Sequence, residues 1–263
     1  AAAKIEGVEF RTGAHVADIV VKDGAATGVV LDSGDTIAAT LVVASFSKLQ
    51  LLATRAGRAA FGFSESAELE RSVPRIASAK VMLALNALPA FNGVAVPMRG
   101  RFVLADRLET YVAAHAAARA GRLPDELVME AVFPTVADPA LAPPGQHAVS
   151  ILIAPLPRHV TGGWDAARLA AKAVAALDRH APGLARRVVA AEVLTPDDIA
   201  ARYGVEDGGP VTVKHLLSDW RSRIGTPIKG LFLCGAASEP LGAVSGRAGR
   251  IAAALALRDE AAR

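Results

Sequence analysis

A short apolar stretch near the C-terminal end of this chain, followed by spaced glycines, restricts the fold more than any other part of the sequence. Leu231-Phe232-Leu233 has the composition of a buried β-strand, and glycines follow at Gly235, Gly242 and Gly246. The alanine-rich segment after Gly249 predicts a helix. The sequence therefore predicts a strand, a glycine loop and a helix in succession, an arrangement common in α/β proteins.

The predicted loop suits a phosphate or a flavin ring. Glycines let the backbone approach a ligand closely, and the start of the following helix offers free N–H groups and a positive dipole end. The glycine spacing does not make the G-x-G-x-x-G dinucleotide fingerprint. Ser245 sits one position too late for the G-x-S-x-G nucleophile elbow, which excludes a hydrolase of that class. A purely structural loop between strand and helix stays an open alternative.

The N-terminal part of the chain predicts a β-meander. Asp23-Gly24 and Ser33-Gly34-Asp35 separate β-branched runs, and glycine supplies the positive φ that hairpin turns need. The last run ends in Leu-Val-Val-Ala at residues 41–44, which is typical of a strand buried on both faces and predicts continuation into a larger sheet. The expected strands cover residues 7–12, 15–22, 27–32 and 36–44.

The middle of the chain mixes strands and helices and predicts an α+β layer. A helix near residues 108–120 has Leu108, Tyr111, Val112 and His115 on one face. Another begins after Asp165 as N-cap, and a third begins at Thr195-Pro196 and ends by Gly204. Strands are expected at residues 79–88, 101–105, 130–136 and 148–154.

The amino-acid composition limits the classes of partner that we expect for this chain. Charged residues make up 21% of the 263-residue chain, the formal net charge is +3 and aromatic residues are only 5%, which argues against a nucleic-acid partner. No apolar run approaches the roughly 20 residues of a membrane-spanning helix, so we expect a soluble cytoplasmic protein, with peripheral membrane contact left open. The alternating charges around residues 65–75 predict a solvated surface.

Neither the cysteine nor the histidines predict a reactive or metal-binding site. Cys234 is the one cysteine, so an intrachain disulfide is excluded, and its apolar strand predicts a packing role rather than a nucleophile. The six histidines lack ligand spacing such as H-x-H or H-E-x-x-H, and we therefore predict no metal site. Carboxylates are too scattered to nominate an acid–base pair, and catalytic residues stay unassigned.

Several stretches, taken in chain order, resemble one family. Residues 231–250 look like the C-terminal flavin motif of the phytoene desaturase-like FAD-dependent oxidoreductases, in the subgroup of pyridine nucleotide-disulfide oxidoreductase domain proteins. Residues 7–44 resemble the β-meander of that family, and residues 79–89 resemble the start of its substrate domain. Asp138 to Gly145 and Thr226 to Leu231 look like further landmarks, and the resemblance covers nearly the whole chain.

The resemblance implies a two-domain flavoprotein that binds FAD. Residues 1–46 would form the β-meander and one sheet strand of an FAD domain, 47–220 a mixed-sheet substrate domain, and 221–263 the closing strand, loop and helix of the FAD domain. The N-terminal βαβ unit with the dinucleotide fingerprint is missing from this α+β arrangement. The expected cofactor contacts, through backbone groups, are Gly235, Ala236, Gly242, Ala243, Val244, Ser245, Gly246 and Arg247.

The expected activity is that of the C-terminal portion of an oxidoreductase acting on an apolar, isoprenoid-like small molecule. Two alternatives stay open because the fingerprint is missing: a non-catalytic binding protein of the same fold that has lost FAD, and one subunit of a split flavoenzyme. In the second case a separate FAD-binding half or a homo-oligomer completes the site. For Arg247 and Arg250 the alternative to a phosphate contact is a solvated helix face.

Overall fold

The computed structural model of the chain describes residues 7–71, 75–93, 99–105, 107–204, 224–235, 238 and 245–261. The chain divides into two compact units. Unit 1 comprises Ala1–Ser72 with Val211–Arg263, and unit 2 comprises Val73–Pro210. Residues 47–72 thus group with the β-meander, whereas the sequence places them in a substrate domain; the functional domain boundaries stay a prediction.

Unit 1 begins with a three-stranded antiparallel sheet of β1 (Val16–Lys22), β2 (Ala25–Leu31) and β3 (Thr36–Ala38). Asp23 and Gly24 form the first turn with φ of 50° and 75°, which confirms the turn predicted from the Asp-Gly pair. The strand expected at residues 7–12 is wrong. Phe10 is 61% exposed, because no neighbouring strand among the described residues pairs with this segment.

The run at residues 36–44 divides between two sheets. After β3 ends, β4 (Val42–Ala44) pairs in parallel with β10 (Leu231–Leu233), with Val42 opposite Leu231 and Ala44 opposite Leu233. The expectation of burial on both faces is wrong for Val43, which is 49% exposed because the described residues leave one face of this two-stranded sheet uncovered.

Short capped helices follow β4: α1 (Lys48–Ala53), α2 (Arg55–Ala60) and α3 (Phe63–Arg71). Ser47 and Gln50 form a capping box, in which Ser47 Oγ accepts from the Gln50 N–H at 3.1 Å and Gln50 Oε1 accepts from the Ser47 N–H at 2.8 Å. The helices and both sheets share one core, whose buried residues are Ile19, Ala26, Ala44, Leu51, Leu52, Phe61, Ile228, Leu231 and Leu233.

Unit 2 is built on a five-stranded sheet in the order β6-β7-β8-β5-β9, in which every neighbouring pair is antiparallel. Burial alternates strictly along β5, so one face of the sheet lies in the core. The strands are β5 (Ile76–Leu85), β6 (Arg101–Leu104), β7 (Met129–Val132), β8 (His147–Pro157) and β9 (Val188–Leu194). The helices are α4 (Leu108–Arg119), α5 (Pro134–Ala137), α6 (Ala166–His180) and α7 (Pro196–Tyr203).

Helix α6 confirms its predicted cap. Asp165 Oδ1 accepts from the Arg168 N–H at 2.9 Å, and Leu169, Ala173 and Leu177 are buried in the core. Helix α4 forms where expected but uses another face. It buries Ala114, Ala117 and Ala118, whereas Leu108 is 73% exposed.

The mixed class of helices and sheets is confirmed, and unit 1 closes with α8 (Arg247–Ala261), which buries Ala248, Ala252 and Ala256. Within the described part of the chain, no helix combines the length and apolar character needed to cross a membrane.

Candidate functional site

The candidate site lies where the parallel strands β4 and β10 end. Since parallel strands place their carboxyl ends at one edge of a sheet, Ser45 and Cys234 leave that edge side by side. The Cys234 N–H donates to the Ala44 carbonyl oxygen at 2.7 Å, which carries the strand pairing one residue further. In open α/β sheets, ligands bind beyond this edge. The fold therefore brings together two segments that are distant in sequence.

Gly235 lies buried at this edge, at a position where no side chain fits. A Cβ built on Gly235 would overlap the carbonyl oxygen of Ser45 and would lie 2.6 Å from its carbonyl carbon. The two backbones thus approach more closely than any other residue type allows. Gly235 is thus a sequence-predicted contact that the structure places directly at the strand ends.

Ser238 is a site residue that the sequence analysis missed. Its N–H donates to the Gly235 carbonyl oxygen at 3.0 Å, which holds Ser238 close to the edge of the sheet. The residue is 1% exposed, and among the described residues its Oγ has no hydrogen-bond partner. A buried hydroxyl without a partner costs about 1–3 kcal/mol. The signal in the sequence was a serine that ends a small apolar run directly after a buried strand.

The start of α8 holds three more of the predicted contacts. Ser245 Oγ accepts from the Arg247 N–H at 3.2 Å, and Gly246 has φ of +67°, a conformation that favours glycine. Ser245, Gly246 and Arg247 are all exposed, and α8 contacts β10. The remaining predicted contacts, Ala236, Gly242, Ala243 and Val244, lie outside the described residues.

Cys234 fits a packing role at this edge. Burial raises the pKa of the Cys234 thiol, and a backbone hydrogen bond only partly opposes that effect. The thiol therefore stays protonated near neutral pH, and a thiolate nucleophile is disfavoured.

The residues at this edge fit the flavin nucleotide that the sequence resemblance implies. Ser238 supplies a buried hydroxyl without a partner, and the start of α8 supplies N–H groups together with the positive charge of Arg247. Carboxylates are absent from the described residues of this edge, which are 45–47, 234–235 and 238, and from residues 245–247 at the start of α8. This set of donors suits an electron-rich or anionic group. Across the described residues, no cluster of three or more His, Cys, Asp or Glu side chains could hold a metal ion.

Unit 2 carries an open pocket of about 490 Å³ beside β6 and β7. Its wall is mainly apolar and includes two arginines, of which Arg101 donates from Nη1 to Glu130 Oε2 at 2.8 Å. The lining residues are Arg99, Gly100, Arg101, Val132, Phe133, Pro134 and Ala137. Such a surface can contact an apolar molecule.

Sequence comparison relates the chain to named oxidoreductase domain proteins. It is 35% identical over 157 residues to pyridine nucleotide-disulfide oxidoreductase domain-containing protein 2 of Rattus norvegicus, a match that covers 53% of this chain and 26% of the rat protein. The Mus musculus protein of the same name matches equally well. The match thus spans about a quarter of the length of these curated relatives. No protein-family model matches the chain.

Solved oxidoreductases share the fold. An oxidoreductase from Methanosarcina mazei superposes with a TM-score of 0.60 at 18% identity, covering 96% of this chain and 51% of that protein. Cyclohexylamine oxidase from Brevibacterium oxydans gives 0.53 at 15% identity, covering 94% and 48%. This chain therefore spans about half of each solved protein, and at these identities the likeness shows the fold alone. The chain is thus similar in sequence to named oxidoreductase domain proteins and has the fold of part of a solved oxidoreductase.

Proposed function

We propose that this chain is the C-terminal portion of an FAD-dependent oxidoreductase of the phytoene desaturase-like type. The observation that carries the proposal is the Gly235 to Ser238 turn at the carboxyl edge of the β4–β10 pair, where a buried hydroxyl without a partner lies beside a close backbone approach. The fold shared with solved oxidoreductases and the sequence match to a named oxidoreductase domain protein support it.

The chain would hold FAD mainly through backbone groups. Gly235 and Ala236 would lie against the cofactor after β10, and residues 242–247 would approach it on the way into α8. The first N–H groups of an α-helix have no acceptor within the helix, and Arg247 adds positive charge at the start of α8. Bound FAD would supply the chemistry by accepting hydride equivalents from the substrate. The described residues bind and orient; none is assigned a proton-transfer role.

The proposed substrate is an apolar small molecule of isoprenoid-like chemistry. The support lies in unit 2, whose pocket wall includes the apolar side chains of Val132, Phe133 and Pro134. Binding of an apolar molecule to such a wall is favourable because it removes hydrocarbon surface from water, and it requires no specific polar partner. Arg99, which also lines the pocket, would suit a substrate with an anionic end.

The chief alternative is a chain that needs another polypeptide to form its cofactor site. Strands β4 and β10 form a two-stranded parallel sheet, and parallel sheets occur almost only as parts of larger sheets covered on both faces. The exposure of Val43 points the same way. In this alternative, a separate dinucleotide-binding half or a second copy supplies further strands. A binding protein that has lost FAD is the remaining possibility.

The test is an absorbance spectrum of the purified chain, recorded after FAD is added and unbound cofactor is removed. We expect retained flavin bands in stoichiometric amount, and retention should fall when Gly235→Ala forces Ser45 away. The variant Gly62→Ala is the matched control, because a Cβ at Gly62 meets no atom within 4 Å. Absence of bound flavin in the wild-type chain would favour the alternatives, and adding a separately expressed dinucleotide-binding half would then distinguish a split enzyme from a binding protein.

A further inference from the structure

The face of the unit 2 sheet that lies opposite the core carries a lysine on an interior strand. Lys80 alternates with buried residues along β5 and is itself half-buried. It pairs with Leu152 of β8 on one side and with Leu194 of β9 on the other. Because paired residues of antiparallel strands point to the same face, Lys80 stands between two leucines on this face, which we call the outer face.

Two acidic side chains of the outer face are already paired with arginines. Glu130 accepts a hydrogen bond from Arg101 at 2.8 Å, and Glu192 accepts one from Arg202 at 3.3 Å. In the part of the chain that the structure describes, no carboxylate forms an ion pair with Lys80. Lysine is depleted in β-strands, and its stem covers apolar neighbours while its ammonium group stays accessible. The outer face therefore presents a positive charge that the described acidic residues do not neutralise.

Apolar side chains connect Lys80 with the open pocket beside β6 and β7. Leu152 is 36% exposed next to Lys80, and Val132 of β7 lies diagonal to Leu152, because Leu152 pairs with Glu130. Diagonal neighbours on one face are about 7–8 Å apart, a distance that long side chains span. Val132 also lines the pocket of about 490 Å³. A continuous apolar surface therefore leads from the ammonium group of Lys80 to the pocket.

We propose that the outer face of unit 2 binds a small amphiphilic acid, whose carboxylate contacts Lys80 and whose hydrocarbon part lies along Leu152 and Val132 toward the pocket. The Lys80 ammonium group donates charge-assisted hydrogen bonds to the carboxylate. The leucine and valine side chains remove hydrocarbon surface from water. A neutral hydrocarbon uses only the second contribution, so charge decides which ligand binds more tightly. This site goes beyond the proposed function, because it is built from residues of unit 2 alone and requires no FAD.

The experiment compares decanoate with decanol, which share a hydrocarbon chain and differ in charge. Binding of each to the full 263-residue chain is measured by isothermal titration calorimetry, at ligand concentrations below micelle formation. The wild type should bind decanoate about tenfold more tightly than decanol. Added salt should reduce this difference, because salt screens an ion pair that is partly exposed to water.

Four variants separate the charge of Lys80 from its packing. Lys80→Met removes the charge and keeps an apolar stem, so it should weaken decanoate binding about tenfold and leave decanol binding unchanged. Lys80→Arg should keep most of the affinity for decanoate, because the positive charge remains. Leu152→Ala should weaken the binding of both ligands by the same factor, because it removes apolar area alone. Lys22→Met is the matched control, since Lys22 is an exposed lysine on β1 of unit 1.

Several results would overturn the inference. Equal binding of decanoate and decanol to the wild type, or no binding of decanoate, means that Lys80 recognises no carboxylate. Unchanged decanoate affinity in Lys80→Met identifies a solvated lysine, and an equal loss in Lys22→Met identifies an effect of net charge. Sedimentation of the chain with anionic phospholipid vesicles, without binding of monomeric decanoate, identifies a membrane contact instead. Retention of FAD is measured separately by absorbance, so the proposed function and this inference can fail independently.

Discussion

Unit 2 and unit 1 organise their strands in different ways. Unit 2 joins its strands into one continuous antiparallel sheet, whose strands all come from one uninterrupted part of the chain, residues 76–194. Unit 1 forms a separate three-stranded sheet and the parallel pair β4–β10, whose partners lie on opposite sides of unit 2 in sequence. Closing that long connection costs conformational entropy.

This difference indicates that the sheet of unit 2 provides stability, whereas the β4–β10 pair of unit 1 provides the binding segment. Low local stability is common at ligand-binding segments, because they must respond to the ligand. We therefore expect amide hydrogens of β5 and β8 to exchange more slowly than those of β4 and β10. A ligand that binds only the folded form adds stability at its own site. Bound FAD should therefore slow exchange chiefly in β4 and β10.

The largest effect should come from the centre of the sheet in unit 2. Ile151 on β8 is fully buried opposite Val81 and Ala131. The change Ile151→Ala removes packed methylene groups and leaves a cavity, which should lower the free energy of unfolding by about 2–5 kcal/mol. Urea denaturation followed by circular dichroism measures the loss, and hydrogen exchange locates it in unit 2.

The neighbouring residue provides the control for that prediction. Leu152 points to the other face of the same strand and is 36% exposed, so Leu152→Ala should cost distinctly less than Ile151→Ala. Equal losses from the two changes would contradict the one-sided core assigned to this sheet. Faster exchange in β4 and β10 after Ile151→Ala would contradict the expectation that the loss lies in unit 2.

A smaller effect is expected at the parallel pair of unit 1. In Gly235→Ala the new Cβ collides with the backbone of Ser45, and relieving the collision should cost about 1–3 kcal/mol. Gly249→Ala in α8 is the matched change in the same segment, since its Cβ would meet no atom within 4 Å. For Gly249→Ala we expect the free energy of unfolding to rise by about 0.5–1 kcal/mol, because alanine has the higher helix propensity. Thermal unfolding measures both, and a Gly235→Ala chain as stable as wild type would mean that the strand ends lie further apart.

The elements that the sequence predicted correctly depend on neighbouring residues. The Asp23-Gly24 turn, the Asp165 cap of α6 and the αL termination of α7 at Gly204 are all set within a few residues of the signal. Their turn, cap and stop residues act through local backbone geometry. Such features can be identified from a single sequence because no distant contact changes their outcome.

The parts that were missed depend on residues far apart in the chain. The pairing of Ala44 with Leu233 and the closeness of Ser45 to Gly235 follow from how the chain returns, which no local pattern encodes. Helix α4 packs through alanines instead of the larger apolar stripe, because small side chains allow closer approach to a sheet. Ser238 became visible as a site residue only when its burial and lack of a partner were known.

The smallest effect should come from the start of α7 and should stay within unit 2. Thr195 Oγ1 donates to Asp198 Oδ2 at 2.7 Å, and Thr195 Oγ1 accepts from the Asp198 N–H at 3.2 Å. Removing this capping box in Thr195→Ala should cost about 1 kcal/mol, whereas Thr195→Ser should keep most of the cap. Exchange of the α7 amides measures the change, and exchange in β4 and β10 should be unaffected.

The same cap predicts a dependence on pH with a defined sign. The Thr195 hydroxyl, and after it the Thr195 backbone N–H, lowers the pKa of Asp198 below its usual value of 3.8. A carboxyl whose pKa is lower in the folded chain adds stability that is complete above pH 3.8 and is lost as the pH falls through the lowered pKa. Protection of the α7 amides from hydrogen exchange should therefore be constant from pH 7 to about pH 5, and it should decrease below about pH 4. Thr195→Ala should flatten this dependence, and an unchanged acid response in that variant would show that another carboxyl governs the start of α7.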